Sequence, residues 1–168
     1  MLIPFKGQNP VLAQDAYIAE GAMLIGPISI ASRASVWFNA VLRADRGRIT
    51  VGDYSSVQDC CVFHGPVEVG SHVTVGHGAV LHGCVVEANC VIGMKSVIMD
   101  GAIIGRGSVI AAGAVILENA IIPPHSLVAG LPAKVIKPLP PESEQTYHQI
   151  AEGYYAFAEP HMQGRMQT

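Results

Sequence analysis

Residues 86–128 read VEANCVIGMKSVIMDGAIIGRGSVIAAGAVILENAIIPPHSLV, and their spacing decides the fold. Stepping by six from Val86 meets Ile92, Ile98, Ile104, Ile110, Ile116, Ile122 and Val128, an unbroken aliphatic column. Four residues along from each lies a small one: Cys90, Ser96, Ala102, Ser108, Ala114, Ala120 and Ser126. A helix of period 3.6 cannot keep two such columns in phase, whereas short strands of period two joined at fixed corners can. Helix is therefore excluded over 24–128, and a solenoid whose coils pair at about 4.8 Å follows.

The same step runs outward towards the N-terminus through Leu24, Ile30, Val36 and Leu42. It resumes in a shifted phase at Val51, Val57, Phe63, Val69, Val75 and Leu81. Residues 43–48 (RADRGR) insert length between Leu42 and Val51, which predicts a loop. One residue is dropped between Leu81 and Val86, which predicts a bulge. Towards the C-terminus, AGLPAKVIKPLPPESEQ ends the repeat, and Pro141 suits an early helical position. Tyr147, Ile150, Ala151, Tyr154 and Ala158 then form a stripe that should lie along one wall, with Pro160 as the stop. The expected organisation is a β-helix over 1–138, a packed helix over 139–160 and a tail over 161–168.

The chain of 168 residues is half apolar and only 14% charged. Its mean hydropathy is +0.37. That balance suits a subunit that hides surface in an oligomer. A net charge of −3 without a Lys/Arg stripe argues against nucleic acid and anionic membrane as partners. No apolar run approaches the ~18 residues of a spanning helix, and MLIPFKGQNP lacks the regions of a signal peptide, so a soluble cytoplasmic protein is expected. Cys60, Cys61, Cys84 and Cys90 have no C-x-x-C spacing and read as buried apolar fillers.

Three of the seven histidines stand apart by their spacing. His64 and His82 differ by eighteen residues, so on an eighteen-residue coil they stack on one wall, close enough to share an ion. His77 falls on the preceding wall, around a corner, and reaches the pair only from a neighbouring subunit related by a three-fold axis. Three imidazoles and an open position are the donor set of catalytic zinc, which lowers the pKa of its bound water towards ~7 and gives a hydroxide nucleophile. Asp59 stacks beneath His77, Gln58 sits one hexad before His64, and Arg43 and Asp45 open the inserted loop. His72, His125, His148 and His161 share no such registration and receive no role. Trp37 and Phe38 read as structural.

The six-residue pattern resembles the hexapeptide-repeat proteins, which implies a left-handed parallel β-helix, a triangular prism with three hexads per coil. Arg43-Ala-Asp45, Gln58-Asp59, His64, and Gly76-His77 through His82-Gly83-Cys84 narrow the likeness to the γ-class carbonic anhydrases. The resemblance implies a homotrimer in which His64 and His82 of one subunit and His77 of the next hold Zn2+, or Fe2+ or Co2+. It further implies that Arg43 pairs with Asp59 across the interface, that Gln58 and Asp45 orient solvent, and that Tyr154 lies near the pocket. The implied substrates are CO2 and bicarbonate. Ser56 stands where the family usually has Asn, Arg46 where it sometimes has Glu, and only GPVE separates His64 from Val69, too little for an acidic proton-shuttle loop. Those departures resemble the bacterial γ-carbonic-anhydrase-like members, with modest hydration activity or thioester hydrolysis. A hexapeptide acyltransferase and a metal-stabilised non-catalytic trimeric scaffold are the rival readings.

Overall fold

In the computed structural model, which describes residues 1–165, the hexads form a left-handed β-helix closed by one C-terminal helix. Three sheets of seven, seven and eight strands make the walls; strands a coil apart pair in parallel, and the last strand, Ala133–Pro138, folds back antiparallel on Ser126–Gly130. The first wall carries Val41–Arg43, Val62–His64 and Val80–His82. The third carries Ser35–Val36, Ser56–Val57 and Thr74–Val75. Most strands are two or three residues long, so β-branched residues alternate in and out only once before each corner. Coil-to-coil bonds such as Val80 N–H to Ser96 O (2.9 Å) and Val97 N–H to Ala114 O (2.9 Å) satisfy the backbone.

The two sequence columns are the core. Ile92, Ile98, Ile104 and Ile110 are fully buried, as are the small Cys90, Ser96, Ala102 and Ser108 at the corners. Both phase slips are visible in the register. Val41 pairs with Val62, twenty-one residues on, and Val80 with Val97, seventeen on. The first slip is the predicted loop. The second is no bulge: the ladder continues unbroken, and the missing residue is absorbed where Gly83 and Cys84 turn the corner. Cys61, Cys84 and Cys90 are buried, and burial pushes each thiol up to about 12. Cys60 departs from the filler reading: it occupies a left-handed corner (φ 59°) and is exposed.

One corner column, Arg33, Tyr54, His72, Asn89, Gly107 and His125, holds φ values between 54° and 66° and seats the terminal helix α1 (Ser143–Arg165). Glu144 of α1 is clasped by Arg106 (2.9 and 2.7 Å) and by Asn89 (2.8 Å), with His125 at 3.4 Å. Tyr155 packs edge-on to Tyr54, and Ala151 and Ala158 are fully buried.

This corrects the expected helix in three respects. It begins at Ser143, not 139, because Pro140 and Pro141 first form a turn that accepts from the amides of Ser143 and Glu144. It runs through Pro160 to Arg165, because packing beyond the proline, His161 against Tyr17, Trp37 and Phe38, outweighs one lost bond. Only the last three residues of the expected tail, 166–168, lie outside the described residues. The inward face is Ala151, Tyr155 and Ala158, whereas Ile150 and Phe157 point outward (40% and 66% exposed) and Tyr154 packs on Phe157. Among the described residues no helix is long and apolar enough to cross a membrane.

Candidate metal centre

The register places Arg43, His64 and His82 in one column of the first wall, with His64 directly opposite both neighbours. Because side chains at paired positions stack, the two rings meet, and His64 Nδ1 lies 2.9 Å from His82 Nε2. Two ring nitrogens this close face each other only with a proton or a cation between them. Nitrogens sharing one tetrahedral zinc at about 2.0–2.1 Å stand roughly 3.3 Å apart, so a small opening of the pair admits the ion.

Carboxylates orient each ring. His82 Nδ1 contacts Asp100 Oδ2 at 2.8 Å, His77 Nδ1 contacts Asp59 Oδ2 at 2.7 Å, and His64 Nε2 contacts Asp45 Oδ1 at 2.9 Å. In the first two the carboxylate holds the proton on Nδ1 and directs the Nε2 lone pair outward, the arrangement that prepares imidazole for a metal. Asp45 is itself held by Arg43 Nη1 at 2.5 Å. Burial pushes its carboxyl up, but the His64 hydrogen bond and the Arg43 charge together prevail and hold it below its ordinary value.

The glycines of the motif have steric reasons. A Cβ on Gly76 would meet the Met94 backbone nitrogen at 2.8 Å, so the coil carrying His77 could not lie against the next. Gly83 takes φ +60°, and a Cβ there would collide with the Asp100 carboxylate that orients His82. Asp100 was not singled out in the sequence. The ladder steps by seventeen here, so Asp100 stacks over the Gly83 corner and reaches across to the His82 ring.

Not every expected site residue joins this cluster within the chain. His77 lies at the corner between the third and first walls, half exposed. Among the described residues the one group of three or more His, Cys, Asp or Glu with ligand atoms within 4.8 Å of one another is elsewhere, so His77 does not close on the pair inside its own chain. Arg43 pairs with Asp45, whereas Asp59 accepts from the Phe38 amide (3.1 Å) besides His77, so the expected Arg43–Asp59 contact is not made within one chain. Gln58 is buried (3% exposed), and its Nε2 has no hydrogen-bond partner. Tyr154 rides on α1, which packs on the third wall, and is not brought to the His64–His82 pair. Ser56 is buried and accepts from the Trp37 indole N–H (3.0 Å).

The bacterial transferase hexapeptide model (six repeats) matches residues 83–118. A Methanocaldococcus jannaschii protein named "Probable carbonic anhydrase" is 40% identical over 153 residues, which span 89% of this chain and 96% of that protein. The chain belongs to the γ-class carbonic anhydrase-like family of hexapeptide-repeat proteins. A Geobacillus kaustophilus protein named carbonic anhydrase is 36% identical over 64 residues, 38% of this chain and 35% of that protein. A hexapeptide transferase family protein from Anaplasma phagocytophilum is 36% identical, with a TM-score of 0.91 over 95% of this chain and 96% of that one. Proteins similar to this chain thus carry both carbonic anhydrase and transferase names. Carbonic anhydrase relatives imply a metal cofactor, and the facing ring nitrogens of His64 and His82, each ring held from its other nitrogen by a carboxylate, fit two of a divalent ion's ligands.

Proposed function

We propose that this protein is a homotrimeric carbonic anhydrase that hydrates CO2 reversibly to bicarbonate and a proton. The observation that carries the reading is the 2.9 Å approach of His64 Nδ1 to His82 Nε2 on adjacent coils, with carboxylates behind both rings. His64 and His82 would hold the metal together with His77 of a neighbouring copy, whose Nδ1 is already engaged by Asp59. When bound, a zinc, iron or cobalt ion supplies Lewis acidity that lowers the pKa of coordinated water towards ~7.

The chain's own groups do the rest. Asp100 and Asp59 keep the rings in the ligating tautomer, and the Arg43–Asp45 pair fixes His64. Gln58 offers an amide N–H, otherwise without a partner, to orient a substrate oxygen. Asp45, an acceptor kept ionised, takes a hydrogen bond from solvent. Arg43 and Asp59 face the subunit boundary. Tyr154, half-buried beside Phe157, would act only on a neighbouring subunit's pocket.

Stopped-flow CO2 hydration by the zinc-loaded and the anaerobically iron-loaded protein tests the reading. Rates above buffer background that vanish in His82→Ala support it, and background rates with both metals reject it. The transferase name of the Anaplasma relative favours a second reading, acyl transfer from acetyl-CoA. Calorimetric saturation by acetyl-CoA in the absence of hydration activity would favour that reading, and no binding removes it.

A further inference from the structure

The corner that seats α1 brings together a second set of ligating groups, distinct from the first-wall histidines. His72 stands on the corner, and His148 and Glu152 sit one turn apart on α1. One ligand atom from each of the three lies within 4.8 Å of the others. The two imidazoles are stacked, with centroids 3.7 Å apart and planes inclined by 13°. His148 Nε2 is 3.5 Å from Glu152 Oε1. Tyr54 stacks on His72 at 5.1 Å, so that ring is held in place, and the half-exposed His148 ring is the one that tilts out of the stack to aim its in-plane lone pair at a shared ion.

We propose that His72, His148 and Glu152 form a second metal site, which takes a divalent transition ion of zinc type and clamps α1 to the corner of the prism. Two imidazoles and one carboxylate make the donor set of an open zinc site. Imidazole also suits copper, nickel and cobalt, whereas magnesium and calcium prefer an all-oxygen cage. His148 and Glu152 are 43% and 46% exposed, so the remaining coordination positions face water. One ligand belongs to the prism and two to the helix, so the ion binds fully only when α1 is docked and thereby favours docking. The site lies between the Glu144 clasp and the aromatic anchor around His161, along a stretch where small Ala151 is the buried contact.

The test is calorimetric titration of the chelator-treated full-length chain with ZnCl2, run on the parent, on His148→Ala and on His82→Ala. His148→Ala should take up one zinc per chain fewer than the parent, whatever the first-wall histidines do. His82→Ala should retain an ion that disappears in His82→Ala/His148→Ala. Glu152→Gln, a change at an exposed position that leaves the fold intact, should weaken that uptake at least tenfold. Hydrogen exchange of α1 amides should slow on zinc addition to His82→Ala but not when His72→Ala is added. Unchanged zinc uptake in His148→Ala, or exchange in α1 indifferent to zinc, overturns the proposal and leaves a stacked histidine pair with no ion.

Discussion

Asp100 offers a sharp perturbation, because it touches no substrate and its whole expected effect passes through one ring. Its Oδ2 stands 2.8 Å from His82 Nδ1, and the carboxylate is 53% exposed. Outer partners of this kind contribute about 10- to 100-fold to metal affinity, by fixing the tautomer and by raising the basicity of the ligating nitrogen. Asp100→Asn keeps an oxygen that accepts from Nδ1 but loses the charge, and water already screens half of the carboxylate. The low end is therefore expected, about tenfold or ~1.4 kcal/mol. Asp100→Ala loses acceptor and charge together and frees the ring to turn, so the loss should approach about a hundredfold. Competition for zinc against a chromogenic chelator measures both, in the His148→Ala background so that only the first-wall site is read. Equal affinities for Asp100→Ala and its parent would refute the reasoning.

Three further outcomes follow from the same geometry. Ile98→Ala removes a fully buried member of the aliphatic column and should cost about 2–5 kcal/mol in denaturant unfolding; a cost under about 1 kcal/mol would mean that the coils collapse onto the cavity. Glu144 has its carboxyl held below the ordinary range, first by the Arg106 hydrogen bond. Its contribution is therefore complete above about pH 4.3 and is lost as pH falls through the lower folded value. Proteolysis of α1 by an acid-tolerant protease should rise in that acid window, and Glu144→Gln should already be susceptible at neutral pH; equal resistance of the two proteins at pH 7 counts against the clasp. Cys61, Cys84 and Cys90 should resist a thiol reagent until denaturant is added, leaving Cys60 as the one native thiol open to it. A second reactive thiol in the folded protein would contradict the burial.

The prism was legible because its code is redundant. Each coil repeats the aliphatic and small positions, so Leu42 to Val51 and Leu81 to Val86 show as slips against a regular background, and the register bears both out. Its left hand was not legible from patterning, since physical preference favours right-handed crossovers, and it came through the family resemblance. The helix stripe was half legible, because α1 has two apolar faces. Ala151 and Ala158 of the expected stripe are buried, but the polar clasp at Glu144 rotates the helix so that Ile150 points outward and Tyr155 packs inward against Tyr54. A proline signal at 160 was likewise overridden by the aromatic cluster beyond it.

At the site, eighteen-residue arithmetic placed His64 on His82 and Asp59 beneath His77, because side chains on paired strands must stack. Asp100 escapes that arithmetic, because beyond Val80 the ladder steps by seventeen and a side chain eighteen residues past His82 is not its in-register neighbour. His72, His148 and Glu152 could not be found that way. Two of them lie on a helix whose docking against a particular corner is decided by tertiary contacts that no single-chain period encodes.

Anomalous scattering at the zinc edge, from crystals grown with zinc, would locate the ion itself. The account requires a peak within about 2.0–2.1 Å of a ring nitrogen of His64, of His82 and of His77 from an adjoining copy. Fully occupied His64 and His82 rings in direct contact, with no peak between them and with His77 of every copy turned to solvent, would contradict it.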